Sequence, residues 1–213
     1  MFVSWQASLF AGDTLAVDHD FTSLARRELD DDSWVDHAPG FLAGADGLFD
    51  TLITELPWRQ REVVMFDRKL AEPRLTWWWN VADGKREPLP VLAELRAALT
   101  GRYERTFDSI GANWYRDGRD SVAWHGDRER HLPQPLVAIV SLGTPRPFLL
   151  RRTGGGASIP FALGHGDLLV MGGRCQHEWQ HCVPKVAKAG PRISVTFRHH
   201  TDELPKKRRR PVR

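Results

Sequence analysis

Eight short apolar segments follow one another between Thr106 and His200, and they restrict the fold of this chain more than any other feature. They are SIGANWY, SVAWHGD, LVAIVSLG, RPFLLRR, SIPFAL, GDLLVMGG, WQHCVP and RISVTFRHH, separated by Gly, Pro and Asp turns. Pieces this short and this closely spaced are strands, and several in succession argue for a sandwich or barrel. Two helices are expected ahead of them. One runs from about Gly44 to Leu56, with Leu48, Leu52 and Ile53 on one face and Pro57 as its stop. The clearest spans Pro90–Thr100, where Leu92, Leu95, Ala98 and Leu99 form a stripe, Pro90 suits the first turn and Gly101 the C-cap. Residues 58–79 between the helices are strand-like and aromatic. The stretch from Arg26 to Leu42 has the composition of an exposed turn followed by an entry into structure, and the first ten residues alternate weakly. The expected fold is α+β, built around a double-stranded β-helix of the jelly-roll type. No internal repeat is present.

A length of 213 residues with 41% hydrophobic content suits one sizeable core and is short for two full domains. No apolar run approaches the roughly 20 residues that cross a bilayer, so no membrane association is expected. The start, MFVSWQASLF, has neither a basic region nor a long apolar one, so no secretory signal is expected. Cys175 and Cys182 make neither a disulfide framework nor a CxxC pair. A reducing, intracellular (cytoplasmic) setting is expected. The charge is uneven: residues 206–213, KKRRRPVR, carry six positive charges, and without them the net charge falls from +3 to −3. Such a tail suits a polyanion, by counterion release. It equally suits a solvated terminus.

Two patterns carry chemistry. In W-H-G-D-R-E, His125 and Asp127 are two apart, so on a strand both side chains face one way. With a second imidazole they would form a 2-His-1-carboxylate face with open positions, the arrangement of non-haem Fe(II) oxygenases. Alone, H-x-D is a weak signal in a chain with nine histidines. His165, His177 and His181 are the candidates for the second imidazole. The other pattern is R-I-S-V-T-F-R, where Arg192 and Arg198 are an even number of residues apart and share a face, with Ile193, Val195 and Phe197 on the other. Buried arginines need acidic partners. A dicarboxylate cosubstrate would supply them, its carboxylates matching the guanidinium fork. Paired with surface acids, the same arginines would merely flank an edge strand.

Together, N-W-Y-R-D-G-R-D-S-V-A-W-H-G-D-R-E, S-L-G-T-P-R-P-F-L-L-R, G-D-L-L-V-M-G-G-R-C-Q-H-E-W-Q-H-C-V-P-K and R-I-S-V-T-F-R resemble the AlkB family of nucleic-acid dealkylating dioxygenases, in the family's order, across most of residues 110–198. The resemblance implies iron ligands at His125, Asp127 and His181, the V-P pair after His181 choosing it among the three histidines. It implies Arg192 at the distal carboxylate of 2-oxoglutarate and Arg198 near the iron-side carboxylate. Asn113 and Tyr115 match an N-x-Y that hydrogen-bonds the cosubstrate, and Glu129 an acid that contacts the damaged base. More faintly, V-V-M-F-D-R-K-L-A-E-P-R-L-T-W-W-W resembles the nucleotide-recognition lid. There Met65 and Phe66 fall where some members carry a residue that fills the gap left by a flipped base, and one of Trp77, Trp78 and Trp79, with Trp79 the first choice, would contact the base.

The organisation implied is a single dioxygenase domain over residues 1–205, with lid and supporting helices at about 50–105, a core at about 106–200, and a basic tail at 206–213. The activity implied is oxidative dealkylation of DNA bases with Fe(II), O2 and 2-oxoglutarate by a monomer, RNA being the alternative substrate. Some features depart from the family. N-V-A-D-G-K-R-E-P replaces a tyrosine-rich segment after the tryptophans, which implies a shorter lid, and Ser194 stands where some relatives carry Asn. A non-catalytic nucleic-acid-binding jelly roll would be expected to show a broken triad or a missing arginine. A cupin-like metal enzyme would leave Arg192 and Arg198 without a purpose.

Overall fold

Alternation along the apolar segments sorts their side chains to the two faces of a large antiparallel sheet in the computed structural model of the chain, which describes residues 14–65, 68–127 and 132–200. In chain order, β1 (Ala16–Val17), β2 (Ala25–Glu28), β3 (Ser33–Ala38) and β4 (Leu42–Ala43) precede α1 (Asp46–Glu55). Next come β5 (Glu62–Met65), β6 (Arg68–Ala71) and β7 (Leu75–Asn80), then α2 (Pro90–Tyr103). The remainder is β8 (Ser109–Tyr115), β9 (Val122–His125), β10 (Val137–Gly143), β11 (Arg146–Arg152), β12 (Ile159–Leu163), β13 (Asp167–Gly173), the single turn α3 (Cys175–Glu178), β14 (Trp179–Val183) and β15 (Arg192–Arg198).

The seven-stranded sheet runs β2-β3-β13-β10-β15-β8-β7, and a four-stranded sheet, β12-β11-β14-β9, lies across from it. This is the jelly roll expected from the strand spacing. One face of the larger sheet carries Ile110, Ala112, Ala138, Val140, Leu142, Val195 and Phe197, packed with Leu48, Phe49 and Leu52 of α1 and Leu92, Leu95 and Leu99 of α2. Its other face carries Tyr115, Val137, Ile139, Leu169 and Met171, packed with Phe148, Leu150, Trp179 and Val183 of the smaller sheet. The molecule is therefore layered as helices, large sheet and small sheet, the outer layers burying one apolar face each and the large sheet both of its faces. All eight segments form strands, within a residue or two of the expected ends.

Two expectations need correction. Gly101 does not cap α2. The helix continues through it to Tyr103, and Glu104, at φ 51°, takes the left-handed position. Tyr103 stacks on Trp34 at 6.1 Å and donates its hydroxyl to Asp36 at 2.9 Å, which holds the last turn in place. Tertiary contact overrides the local stop signal. The acidic stretch before Leu42 is also more than a turn: β2 and β3 form a hairpin that extends the large sheet. Asp36 is fully buried there and is satisfied by a two-point contact from Arg26 as well as by Tyr103. The alternation noted in the first ten residues and the basic tail lie outside the described residues, as do Phe66 and Glu129.

No described helix is long and apolar enough to cross a membrane.

Candidate active site

β9 and β14 are neighbours in the small sheet, and His125 pairs directly with His181. Their rings lie 4.3 Å apart between centroids. Asp127 follows two residues beyond the end of β9, and His181 Nε2 is 3.9 Å from Asp127 Oδ2. One donor atom from each of the three residues falls within 4.8 Å of the others, the one such group of His, Cys, Asp and Glu among the described residues. His165 and His177 are elsewhere. His165 accepts the Gly143 N–H beside α1, and His177 bonds to the Leu132 carbonyl.

The donor set fits a divalent iron. His125 Nδ1 lies 2.8 Å from the Ala123 carbonyl, which can only accept. The proton therefore sits on Nδ1, and Nε2 keeps a lone pair for a metal. Phe148 stacks on the His181 ring at 5.2 Å. Arg198 donates to Asp127 Oδ1 at 2.8 Å, while Oδ2 is buried with no hydrogen-bond partner among the described residues. A buried carboxylate oxygen without a partner is costly unless a cation completes it.

The charges are set accordingly. Burial works to raise the Asp127 pKa, but the nearby charges of Arg198, His181 and His125 outweigh it and hold the carboxyl at about 2. Burial pushes His181 down to about 3 against the attraction of Asp127. Both groups are thus in their metal-binding forms at neutral pH. One consequence is testable in the metal-free chain. The unfolded chain protonates this histidine near its ordinary value of 6.5, the folded chain only near 3. Folding therefore releases a proton over that interval, so the contribution of His181 is complete above 6.5 and declines as pH falls toward 3. The midpoint of thermal unfolding is expected to drop between pH 7.5 and 4.5, and to drop less in His181→Asn. Equal drops in the two proteins would contradict this linkage.

The paired arginines lie on β15, where alternation sends Ile193, Val195 and Phe197 to the helix side and Arg192, Ser194 and Arg198 to the chamber between the sheets. Arg192 is fully buried. Its Nε donates to Ser141 Oγ at 3.0 Å, and Nη1 and Nη2 have no hydrogen-bond partner among the described residues. Burial lowers its pKa, an effect the Tyr115 phenol opposes; the guanidinium lies 5.3 Å from the Tyr115 ring centre. Asn113 and Tyr115 sit on β8 opposite Ser194 and Arg192. Seven of the expected residues, His125, Asp127, His181, Asn113, Tyr115, Arg192 and Arg198, thus line one chamber. The Nη1 and Nη2 groups of Arg192, without a hydrogen-bond partner among the described residues, match the paired oxygens of a carboxylate.

Trp79 does not belong to this chamber. It is 7% exposed, packs in the helix-side core and donates its indole N–H to the Lys85 carbonyl. Trp78 takes its place at the mouth. It is 49% exposed and lies 5.3 Å from the Arg198 guanidinium. Its strand partner is Gly111, where a Cβ would come within 2.8 Å of the indole, so the ring crosses the strand over a glycine.

Three residues escaped the sequence reading. Arg74 donates from Nε to Asn113 Oδ1 at 3.0 Å. An arginine can only donate, so the Asn113 amide NH2 must face the other way. Fully buried Arg146 donates to the carbonyls of Asp117, Asp120 and Pro184, clasping the turn before β9 to the end of β14. Gln176 accepts from the Asp127 N–H. All three lay inside the family-like blocks, but only the folded contacts reveal their partners.

A model of the 2OG-Fe(II) oxygenase superfamily matches residues 38–198. Mouse alpha-ketoglutarate-dependent dioxygenase alkB homolog 3 is 36% identical over an alignment that covers 75% of this chain and 64% of that protein. DNA oxidative demethylase ALKBH2 of Arabidopsis thaliana is 33% identical, with 70% of this chain and 60% of that protein covered. The chain thus spans somewhat less than two thirds of the length of these relatives. Among solved structures, a 2OG-Fe(II) family oxidoreductase from Burkholderia pseudomallei superposes with a TM-score of 0.55 at 16% identity, covering 80% of this chain and 87% of the other. That similarity is one of fold.

Proposed function

The chain belongs to the 2OG-Fe(II) oxygenase superfamily and, within it, to the AlkB family, and we propose that it oxidatively removes alkyl groups from the bases of DNA. The observation that carries the reading is the buried guanidinium of Arg192, two donors without an acceptor, in the same chamber as the convergent donors of His125, Asp127 and His181. His125, Asp127 and His181 would hold Fe(II). Arg192 would take the distal carboxylate of 2-oxoglutarate, with Asn113 and Tyr115 beside it, and Arg198 would hold Asp127 and face the other carboxylate. Held there, Fe(II) would supply the chemistry by which O2 and 2-oxoglutarate oxidise an N-alkyl carbon to the hydroxylated state, so that the carbon would be lost as an aldehyde with succinate and CO2 as co-products. The protein's own part is positional: it orients the carboxylates and excludes water behind Phe148 and Tyr115.

A base in a duplex leaves its stack to enter such a chamber, at a cost of a few kcal/mol. Trp78, exposed beside Arg198, is placed to offset that cost by stacking. Glu129 and Phe66 keep the base-contacting and gap-filling roles that the family resemblance gives them, and the basic residues 206–213 suit contacts to phosphates. An intracellular setting agrees with the two free thiols, Cys175 and Cys182.

Trp78→Ala is expected to raise the KM for a methylated oligonucleotide about 5- to 150-fold, corresponding to about 1–3 kcal/mol of stacking. The KM for 2-oxoglutarate should not move. Trp79→Ala should act on the fold instead, costing about 3–5 kcal/mol of stability as a large core truncation does. Reversed effects would put Trp79 back at the base. The activity itself is tested with methylated single- and double-stranded DNA and RNA oligonucleotides, scored for formaldehyde. Consumption of 2-oxoglutarate without turnover of any of them would refute the substrate, and turnover confined to RNA would move the assignment from DNA to RNA.

A further inference from the structure

α3 is one helical turn between β13 and β14, and its two central side chains make one bond each, to Asp127 and to Leu132. Gln176 Oε1 accepts the Asp127 N–H at 3.0 Å. His177 Nε2 lies 2.8 Å from the Leu132 carbonyl. Gln176 has no exposed surface, and among the described residues its amide NH2 faces the Met171 sulfur, at 3.6 Å. Burying a primary amide is unfavourable unless its bonds are made, so its retention here points to the bond that its oxygen makes.

Asp127 needs that bond. β9 ends at His125, so strand pairing fixes the histidine but does not reach the carboxylate residue. Among the described residues, two contacts then set where Asp127 points: Arg198 on Oδ1 and Gln176 on the backbone N–H. With both made, Oδ2 is turned toward His181.

We infer that Gln176 is a positioning residue of the metal centre, its side-chain oxygen holding the Asp127 backbone so that Oδ2 converges with His125 and His181 on one ion. The inference rests on the metal-site reading above. His177, its neighbour on α3, bonds to the Leu132 carbonyl and so fixes α3 from a second side. Partners of this kind, one bond removed from a ligand, typically govern metal affinity by 10- to 100-fold (about that range) when removed.

The test is equilibrium titration with Co(II), followed by its visible absorption, in the full chain. Gln176→Met keeps the volume and removes the acceptor; Gln176→Glu keeps an oxygen at the same place. The methionine variant is expected to bind Co(II) about 10- to 100-fold more weakly, and the glutamate variant to return to within about threefold of wild type, a factor under 1 kcal/mol. Thermal melts of the metal-free proteins establish that each is folded; Gln176→Leu substitutes if the methionine variant is not. Unchanged affinity in the methionine variant would overturn the inference, and so would equal weakening in both, which would assign Gln176 to packing. A wild-type chain that binds no Co(II), or binds it equally well as His125→Ala, would instead overturn the metal site itself.

Discussion

His125→Ala and Asp127→Ala are each expected to lower turnover of a methylated oligonucleotide by at least about 10³-fold, equivalent to about 4 kcal/mol in the barrier, while leaving the chain folded. The two halves of this expectation have different origins. Loss of activity follows from the donor set: His125, Asp127 and His181 are the three donors that the described residues bring within 4.8 Å of one another, and removing one leaves two. Retention of the fold follows from where those residues stand. His125 is half-buried at the end of a short strand on the small sheet, away from the apolar cluster between the large sheet and the helices. Asp127 lies beyond the end of β9 and outside both apolar clusters, so its loss removes its ion pair with Arg198 and lowers the melting temperature without removing any of the core. The measurement is formaldehyde release beside circular dichroism and a thermal melt. A variant that loses turnover only together with its melting transition would speak against the assignment.

The strands of this fold were legible because their chemistry is repetitive. Between Ser109 and Arg198 the strands of the large sheet alternate between two apolar layers, those of the small sheet between one apolar layer and a more exposed face, and turn residues separate them. The metal site was legible for a different reason: H-x-D fixes two ligands by strand geometry alone, and the V-P after His181 lies within a longer block that resembles the AlkB family. The structure adds a physical sense to that V-P, because the Pro184 carbonyl is one of the three acceptors that Arg146 gathers.

What stayed hidden depended on register or on distant partners. In L-T-W-W-W-N any of the three tryptophans can face inward until the neighbour of β7 is known. Once Trp78 pairs with Gly111, parity puts Trp77 and Trp79 on the helix side. A glycine two residues before Asn113 was a usable signal, since a glycine in a strand often marks the close approach of a large ring. β2 and β3 were obscured by Asp30, Asp31, Asp32 and Asp36, whose charge suggests solvent. Asp36 is nonetheless buried, which requires Arg26 and Tyr103, 10 and 67 residues away in sequence. Gln176 is the same case in miniature. A glutamine beside a histidine has the composition of a surface turn, and only its 49-residue reach to Asp127 makes it part of the site.

Arg192→Ala is the other change with a large expected effect, and it bears on the cosubstrate rather than the metal. Arg192 is the hardest charge in the molecule to account for without a ligand. It has 1% exposure, one bond from Nε to Ser141, and two Nη groups with no partner among the described residues. Among the described residues no acid is paired with it; its near neighbours are Tyr115, whose phenol works against the effect of burial, and a second buried cation, Arg146, which adds to it. An arrangement of this kind lowers the stability of the free protein and is compensated only when an anion arrives. Truncating one partner of a buried, hydrogen-bonded charge pair costs about 2–5 kcal/mol of binding. The KM for 2-oxoglutarate should accordingly rise by about 30-fold or more, with Co(II) affinity in the absence of 2-oxoglutarate unchanged. Because the free chain is relieved of an unpaired buried charge, its melting temperature should hold or increase despite the lost packing. Binding and stability would thus move in opposite directions, which a purely structural arginine would not produce. A 2-oxoglutarate KM that does not respond would remove Arg192 from the cosubstrate site. A melting temperature that collapses would mean that an acidic partner for it exists within the chain itself.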